Sequence, residues 1–208
     1  MQISIARKQP VMNEVLTQVD LPLTIGVISD THIYPHGARQ LHPPILALFR
    51  RANVGLILHL GDINHSGVLD DLGVVAQVLA VQGNNDSPEL LDTLPVERRL
   101  RVGQFTIGMV HGHGGRSARH RAAELLAGRV DLACYGHSHI PMIEEIDGTI
   151  MVNPGSATDR RWHPHFGVAV VRVTDDGIEP ELILYSDPLH LDHMAFAAAD
   201  GVVQENPT

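Results

Sequence analysis

A chain of 208 residues, with 44% hydrophobic residues and a single cysteine, is long enough for one α/β domain with a real core and cannot close an internal disulfide. Its formal charge of −9 at pH 7 supplies no global positive field, which disfavours extended nucleic-acid binding. Neither a secretory apolar segment nor a membrane-spanning run is visible, so a cytoplasmic protein with no membrane partner is expected.

Residues 1–20 read as an N-terminal extension without a clear pattern. Residues 23–28 (LTIGVI) are short and β-branched, a buried strand ended by Ser29-Asp30. Pro43 and Pro44 suit the first turn of a helix through Ile45, Leu46, Leu48 and Phe49. Residues 54–60 form a second apolar run, closed by Gly61-Asp62; His59 inside it reads as a satisfied interior histidine. A short helix over 68–72 and a third strand over 74–81 come next, and the strand ends at Gly83-Asn84-Asn85-Asp86. Residues 96–102 and 105–110 predict two strands joined as a hairpin through Gly103-Gln104, the second ending at His111. Residues 117–127 have helical spacing, with Ala122, Leu125 and Leu126 on one side and Gly128 as the stop. Another apolar run over 130–135 ends at Gly136-His137-Ser138-His139. Strands near 142–146 and 149–152, turning at Asp147-Gly148, and over 168–173 and 182–185 complete the pattern. The expectation is one domain over 1–208 with its core at 23–186. Its fold class is mixed α/β in layers, and 187–208 form a mobile or accessory tail.

Histidine is the anomaly, at 14 residues against 15 Lys and Arg combined. The apolar runs end on residues of one kind: Asp30 and His32, then Asp62, then Asn84, then His111 and His113, then His137 and His139. Loops at the carboxyl ends of strands in an open α/β sheet converge on one crevice, so five such loops deliver these side chains to one place. Each segment alone is a weak signal, but five of one kind are not. Carboxylate, amide oxygen and imidazole suit Mn²⁺, Fe, Ni²⁺ or Zn²⁺ rather than a cysteine-zinc site. These eight side chains are too many ligands for one ion and enough for two if one carboxylate, most naturally Asp62, bridges.

The segments Asp30-Thr31-His32, Gly61-Asp62, Gly83-Asn84-Asn85-Asp86, His111-Gly112-His113 and Gly136-His137-Ser138-His139 resemble the ordered motif set of the calcineurin-like metallophosphoesterases. Residues 153–158 (NPGSAT) resemble more narrowly the small bacterial and archaeal phosphodiesterases typified by YfcE. The resemblance covers about residues 23–186 and implies the family fold, two facing mixed β-sheets flanked by helices. It implies two divalent transition-metal ions, Mn²⁺ first among them. Asp30, His32 and His139 would hold one, Asn84, His111 and His137 the other, and Asp62 would bridge. It also implies hydrolysis of a small phosphodiester by in-line attack of a metal-bridging hydroxide. The ions, two carboxylates and the hydroxide leave a local charge of about +1, which reconciles an acidic chain with an anionic substrate.

One position departs from the family pattern. Asn85 stands where many members carry a histidine that assists the leaving group, or, in the YfcE-like branch, a cysteine. An amide cannot act as a general acid, although it can donate a hydrogen bond to a phosphate oxygen. His113 and His65 are the alternative proton donors, and Arg116 a candidate substrate contact. Asp86 is expected to orient a neighbouring group and residues 153–156 to shape a turn beneath the site. Alternative activities are cyclic-nucleotide phosphodiesterase, phosphomonoesterase or nuclease. A non-catalytic interaction scaffold, the role of one retromer subunit on this fold, is the alternative from another class. A homo-oligomer is left open.

Overall fold

The computed structural model describes residues 17–189, 195–197 and 203–205. Its first helix, α1 (Pro43–Arg51), begins on its two prolines, with Ile45, Leu48 and Phe49 buried as the spacing predicts. It is followed by α2 (Gly67–Gly73), α3 (Pro88–Thr93) and α4 (Ala118–Leu126). Ser87 caps α3 and Ser117 caps α4, each accepting from a backbone N–H of the first turn.

The strands form two mixed sheets. One contains β1 (Thr17–Val19), β5 (Glu97–Val102), β6 (Phe105–Val110), β7 (Leu132–Tyr135), β9 (Thr149–Asn153) and β8 (Met142–Ile146), in the order β1-β5-β6-β7-β9-β8. The other contains β2 (Leu23–Ile28), β3 (Leu56–His59), β4 (Gln77–Ala80), β10 (Phe166–Thr174), β11 (Gly177–Tyr185), β12 (Ala195–Ala197) and β13 (Val203–Glu205), in the order β13-β12-β11-β10-β2-β3-β4. β2, β3 and β4 run parallel in one sheet, and β6, β7 and β9 in the other.

The sheets face one another across an apolar layer. Ile25, Val27, Leu58, Val171 and Leu184 come from one sheet, and Leu100, Ile107, Met109, Leu132 and Val152 from the other. Outside the seven-stranded sheet, Ile45, Phe49, Val68 and Leu72 pack on Ile57, Val168 and Tyr185. Outside the six-stranded sheet, Ala118, Ala122 and Leu126 of α4 pack on Val110, Ala133 and Tyr135. The result is helix, sheet, sheet, helix. Gly26 lets α1 sit close on β2, because a Cβ there would lie 3.1 Å from the Phe49 ring.

Two expectations about the ends change. Part of the N-terminal extension, Thr17–Val19, pairs in parallel with Leu100–Val102 at the edge of the first sheet. Part of the tail pairs as well: Ala195–Ala197 add to β11, and Val203–Glu205 add to β12. Residues 1–16, 190–194, 198–202 and 206–208 of these segments lie outside the described residues. The third strand is shorter than expected, starting at Gln77, because α2 continues to Gly73 and turns at Leu72–Val75. No helix among the described residues is long and apolar enough to cross a membrane.

Candidate metal centre

β2, β3, β6 and β7 are parallel within their sheets, and their carboxyl ends deliver Asp30, Asp62, His111 and His137 to one end of the sandwich. The loops are bent sharply to do this. Asp30 (φ 52°), His32 (46°), Asp62 (53°), His137 (68°) and His139 (58°) all occupy the left-handed region that residues with a Cβ avoid. Backbone bonds link the loops, Asp30 N–H donating to the Gly61 carbonyl at 3.1 Å and His32 N–H to the Asp62 carbonyl at 2.9 Å. Gly83 is needed at the next loop because a Cβ there would stand 2.2 Å from the Asp62 nitrogen.

Two groups of potential ligands result. Asp30, His32 and His139 offer atoms that all lie within 4.8 Å of one another, and so do Asp62, His111 and His137. The groups are contiguous: Asp62 Oδ2 is 3.3 Å from His111 Nε2 and 3.6 Å from His32 Nε2. The donor set fits a cation. Asp30 Oδ2 accepts from Ser29 Oγ and the His137 backbone N–H, whereas its Oδ1 is buried and has no hydrogen-bond partner. The Leu60 carbonyl accepts from His111 Nδ1 at 2.7 Å, and the Asp159 carbonyl accepts from His139 Nδ1. Both rings therefore present bare Nε2 lone pairs inward. His139 Nε2 faces His32 Nε2 at 3.2 Å, and His111 Nε2 faces His137 Nδ1 at 3.2 Å. Convergent lone pairs need a proton or a metal between them.

The electrostatics agree. Burial pushes both carboxylates up, but the neighbouring imidazoles, His139 and His111 at Asp30 and His111 at Asp62, outweigh it and hold them low. Burial lowers His32 and His137. At His111 burial also pulls down, yet the bond to Asp62 and the charges of Asp30 and Asp62 raise it above the ordinary value. Two ionised carboxylates thus draw positive charge to this point.

A second layer holds the ligands. Asp86 is buried and accepts from three backbone N–H groups, Ile63 at 2.6 Å, Asn64 at 2.8 Å and Gly83 at 2.6 Å. It clamps the chain after Asp62, the orienting role its position suggests. The run 153–158 does more than shape a turn. Asn153 Nδ2 donates to the Gly136 carbonyl, Ser156 Oγ to the Asp30 carbonyl at 2.7 Å, and Thr158 Oγ1 to the Thr31 carbonyl. The last two fasten residues more than a hundred positions apart at the strained loop of Asp30 and His32, and the first ties the run to the loop of His137. His59, read from sequence as a satisfied interior histidine, is only half satisfied. Its Nε2 bonds Thr31 Oγ1 at 3.1 Å, while its buried Nδ1 has no partner, and burial drops its pKa to about 3.

Six of the seven expected ligand residues are brought together. The seventh, Asn84, is exposed in the turn after β4. Asn85 is turned onto Asp62, its backbone N–H donating to Oδ1 at 2.8 Å and its amide to Oδ2 at 2.7 Å, rather than standing free for a phosphate. His113 is half-buried with its ring 5.5 Å from that of His111, and its Nδ1 is buried without a partner. Burial, then the charge of His111, lowers its pKa. His65 is engaged elsewhere, since its Nδ1 accepts from Gly67 N–H at the start of α2. Arg116 is exposed in the loop before α4, and Arg121, not singled out in the sequence, is the arginine that lines a cavity with His111 and His113.

The family model for the calcineurin-like phosphoesterase superfamily domain matches residues 23–176. A probable metallophosphoesterase of Methanothermobacter thermautotrophicus is 34% identical over 172 residues, covering 80% of this chain and 95% of that protein. A phosphodiesterase of Methanocaldococcus jannaschii is 28% identical, covering 64% of this chain and 83% of that protein. Among solved structures, a single mutant of Vps29 from Entamoeba histolytica superposes with a TM-score of 0.69 at 22% identity, covering 89% of this chain and all (100%) of that one. A novel archaeal phosphodiesterase superposes at 0.61 and 23% identity, covering 78% of this chain and 100% of that one. These two share the fold.

Proposed function

The chain belongs to the calcineurin-like phosphoesterase superfamily, and on that premise we propose that it is a dinuclear metal-dependent phosphodiesterase acting on small phosphodiesters. The observation that carries this is the contiguity of the two ligand groups, with Asp62 Oδ2 within 3.6 Å of a histidine nitrogen from each. Asp30, His32 and His139 would hold one ion, His111 and His137 with Asn84 the other, and Asp62 would be shared. Manganese is the expected metal. Two divalent ions supply an activated water and a clamp for phosphoryl oxygens when bound there.

The chain's own groups do the rest. The Leu60 and Asp159 carbonyls keep the Nδ1 protons of His111 and His139 outward, so their Nε2 atoms face the centre. Asn85 holds the Asp62 carboxylate by both oxygens and has no proton to transfer, so it leaves the departing alcohol unassisted. Phosphodiesters with acidic leaving groups, such as aryl esters, are therefore favoured. His113 is a protonatable group beside His111 and would assist less acidic alcohols. That same asparagine is the observation behind a second reading, a binding platform on this fold.

One experiment separates them. Protein incubated with Mn²⁺ should retain about two ions per chain and hydrolyse bis-p-nitrophenyl phosphate. Asp62→Ala should lower turnover by more than about a hundredfold, because it removes the shared ligand. Absence of bound metal, or an unaffected variant, refutes the enzyme reading.

A further inference from the structure

Next to His111 lies a cavity of about 230 Å³ between the end of the first sheet and α4. Val96, Val110 and Leu125 form its apolar side, and His111, His113 and Arg121 its polar side. We propose that this cavity seats one ester group of the substrate, and that the group is a compact, flat, largely apolar one, a single aromatic ring, with its face or an electron-rich ring substituent turned to Arg121. The proposal rests on the phosphodiesterase reading and adds the substrate class.

The wall shared with the candidate metal centre is a ligand side chain itself. A phosphate bound at that centre would thus have one ester oxygen near the cavity mouth. Size limits what enters. Sites for drug-sized ligands run from about 300 Å³ upward, so this one takes a ring or a short chain but not a nucleoside. Chemistry limits it further. Three aliphatic side chains reward apolar area, while a guanidinium attracts the electron-rich face of an aromatic ring or an electron-rich substituent on it. Arg121 is available for this, because its own ion pair, to Glu124 at 3.3 Å, is solvent-exposed and worth little. The unpartnered Nδ1 of His113 on the same wall offers a hydrogen-bonding atom that the protein itself does not use.

Calorimetry on Mn²⁺-loaded protein tests the idea with two non-hydrolysable probes, methylphosphonate and 4-nitrobenzylphosphonate. Wild type should bind the aryl probe at least about tenfold tighter, the scale of discrimination a small apolar pocket provides. Val96 is half-exposed, so Val96→Trp fills the mouth without disturbing the core. It should erase the preference and leave methylphosphonate binding unchanged. Arg121→Leu is the second variant and should weaken only the aryl probe. Equal binding of the two probes by wild type, or a preference that survives both substitutions, overturns the cavity assignment and leaves the phosphodiesterase reading standing. Failure of both probes to bind metal-loaded wild type overturns both, and failure of the aryl probe alone overturns the cavity assignment.

Discussion

His59 predicts a specific acid sensitivity. It is fully buried in β3, and burial moves its pKa from 6.5 to about 3. The folded protein therefore keeps it neutral where the unfolded chain protonates it. A depressed folded-state pKa means that the stabilisation is complete above the unfolded value near 6.5. It is lost progressively as pH falls through the window from 6.5 to about 3. Between pH 7 and pH 5 the loss comes to about 2 kcal/mol, a large share of a domain's net stability of roughly 5–15 kcal/mol. His59→Gln removes the titrating group and keeps a polar side chain toward Thr31. Urea unfolding of metal-free protein at pH 7, 6 and 5 should show wild type falling by about 2 kcal/mol more than the variant, with all other titrating groups cancelling in the difference. Parallel pH profiles within about 0.5 kcal/mol would show that His59 protonates in place and that its pocket is not sealed.

The same geometry sets other outcomes. Asp86→Ala strands three buried backbone donors, so urea unfolding should show a loss of at least about 3 kcal/mol. Asp86→Asn should lose less, and its Mn²⁺ affinity, read by titration, should fall by about tenfold or more because Asp62 is then less firmly held. Asn85→His introduces a protonatable group beside Asp62 and should raise the ratio of alkyl to aryl phosphodiester turnover by about tenfold or more. An unchanged ratio would mean that leaving-group protonation is not limiting.

Much of the centre is legible in the sequence because its ligands sit at strand ends, where apolar runs stop abruptly. Residues 23–28 and 105–110 have the same bounds in sequence and structure, since strands buried on both faces need unbroken apolar runs. The features that escape the sequence depend on direction rather than residue type. Asn153, Ser156 and Thr158 look like turn residues whether they bond locally or reach across the chain to Asp30 and Thr31. α3 has only Leu90 buried, too little for a periodicity, and only Ser87-Pro88 marks its start. Arg116 follows a glycine-rich loop and looks like the substrate arginine. The phase of α4, set by buried Ala118, Ala122 and Leu126, instead places Arg121 on the cavity wall. Short strands at the chain ends, such as Thr17–Val19, form by pairing at a sheet edge and carry no pattern of their own.

Five of the six gathered ligand residues adopt a backbone conformation that glycine would hold without strain. At about 1 kcal/mol apiece the strain totals roughly 5 kcal/mol, comparable with everything that keeps a domain of this size folded. Any drift of Asp30, His32, Asp62, His137 or His139 toward glycine or asparagine would run downhill in stability while dismantling the centre. The geometry of the centre and the stability of the fold are therefore opposed at these positions.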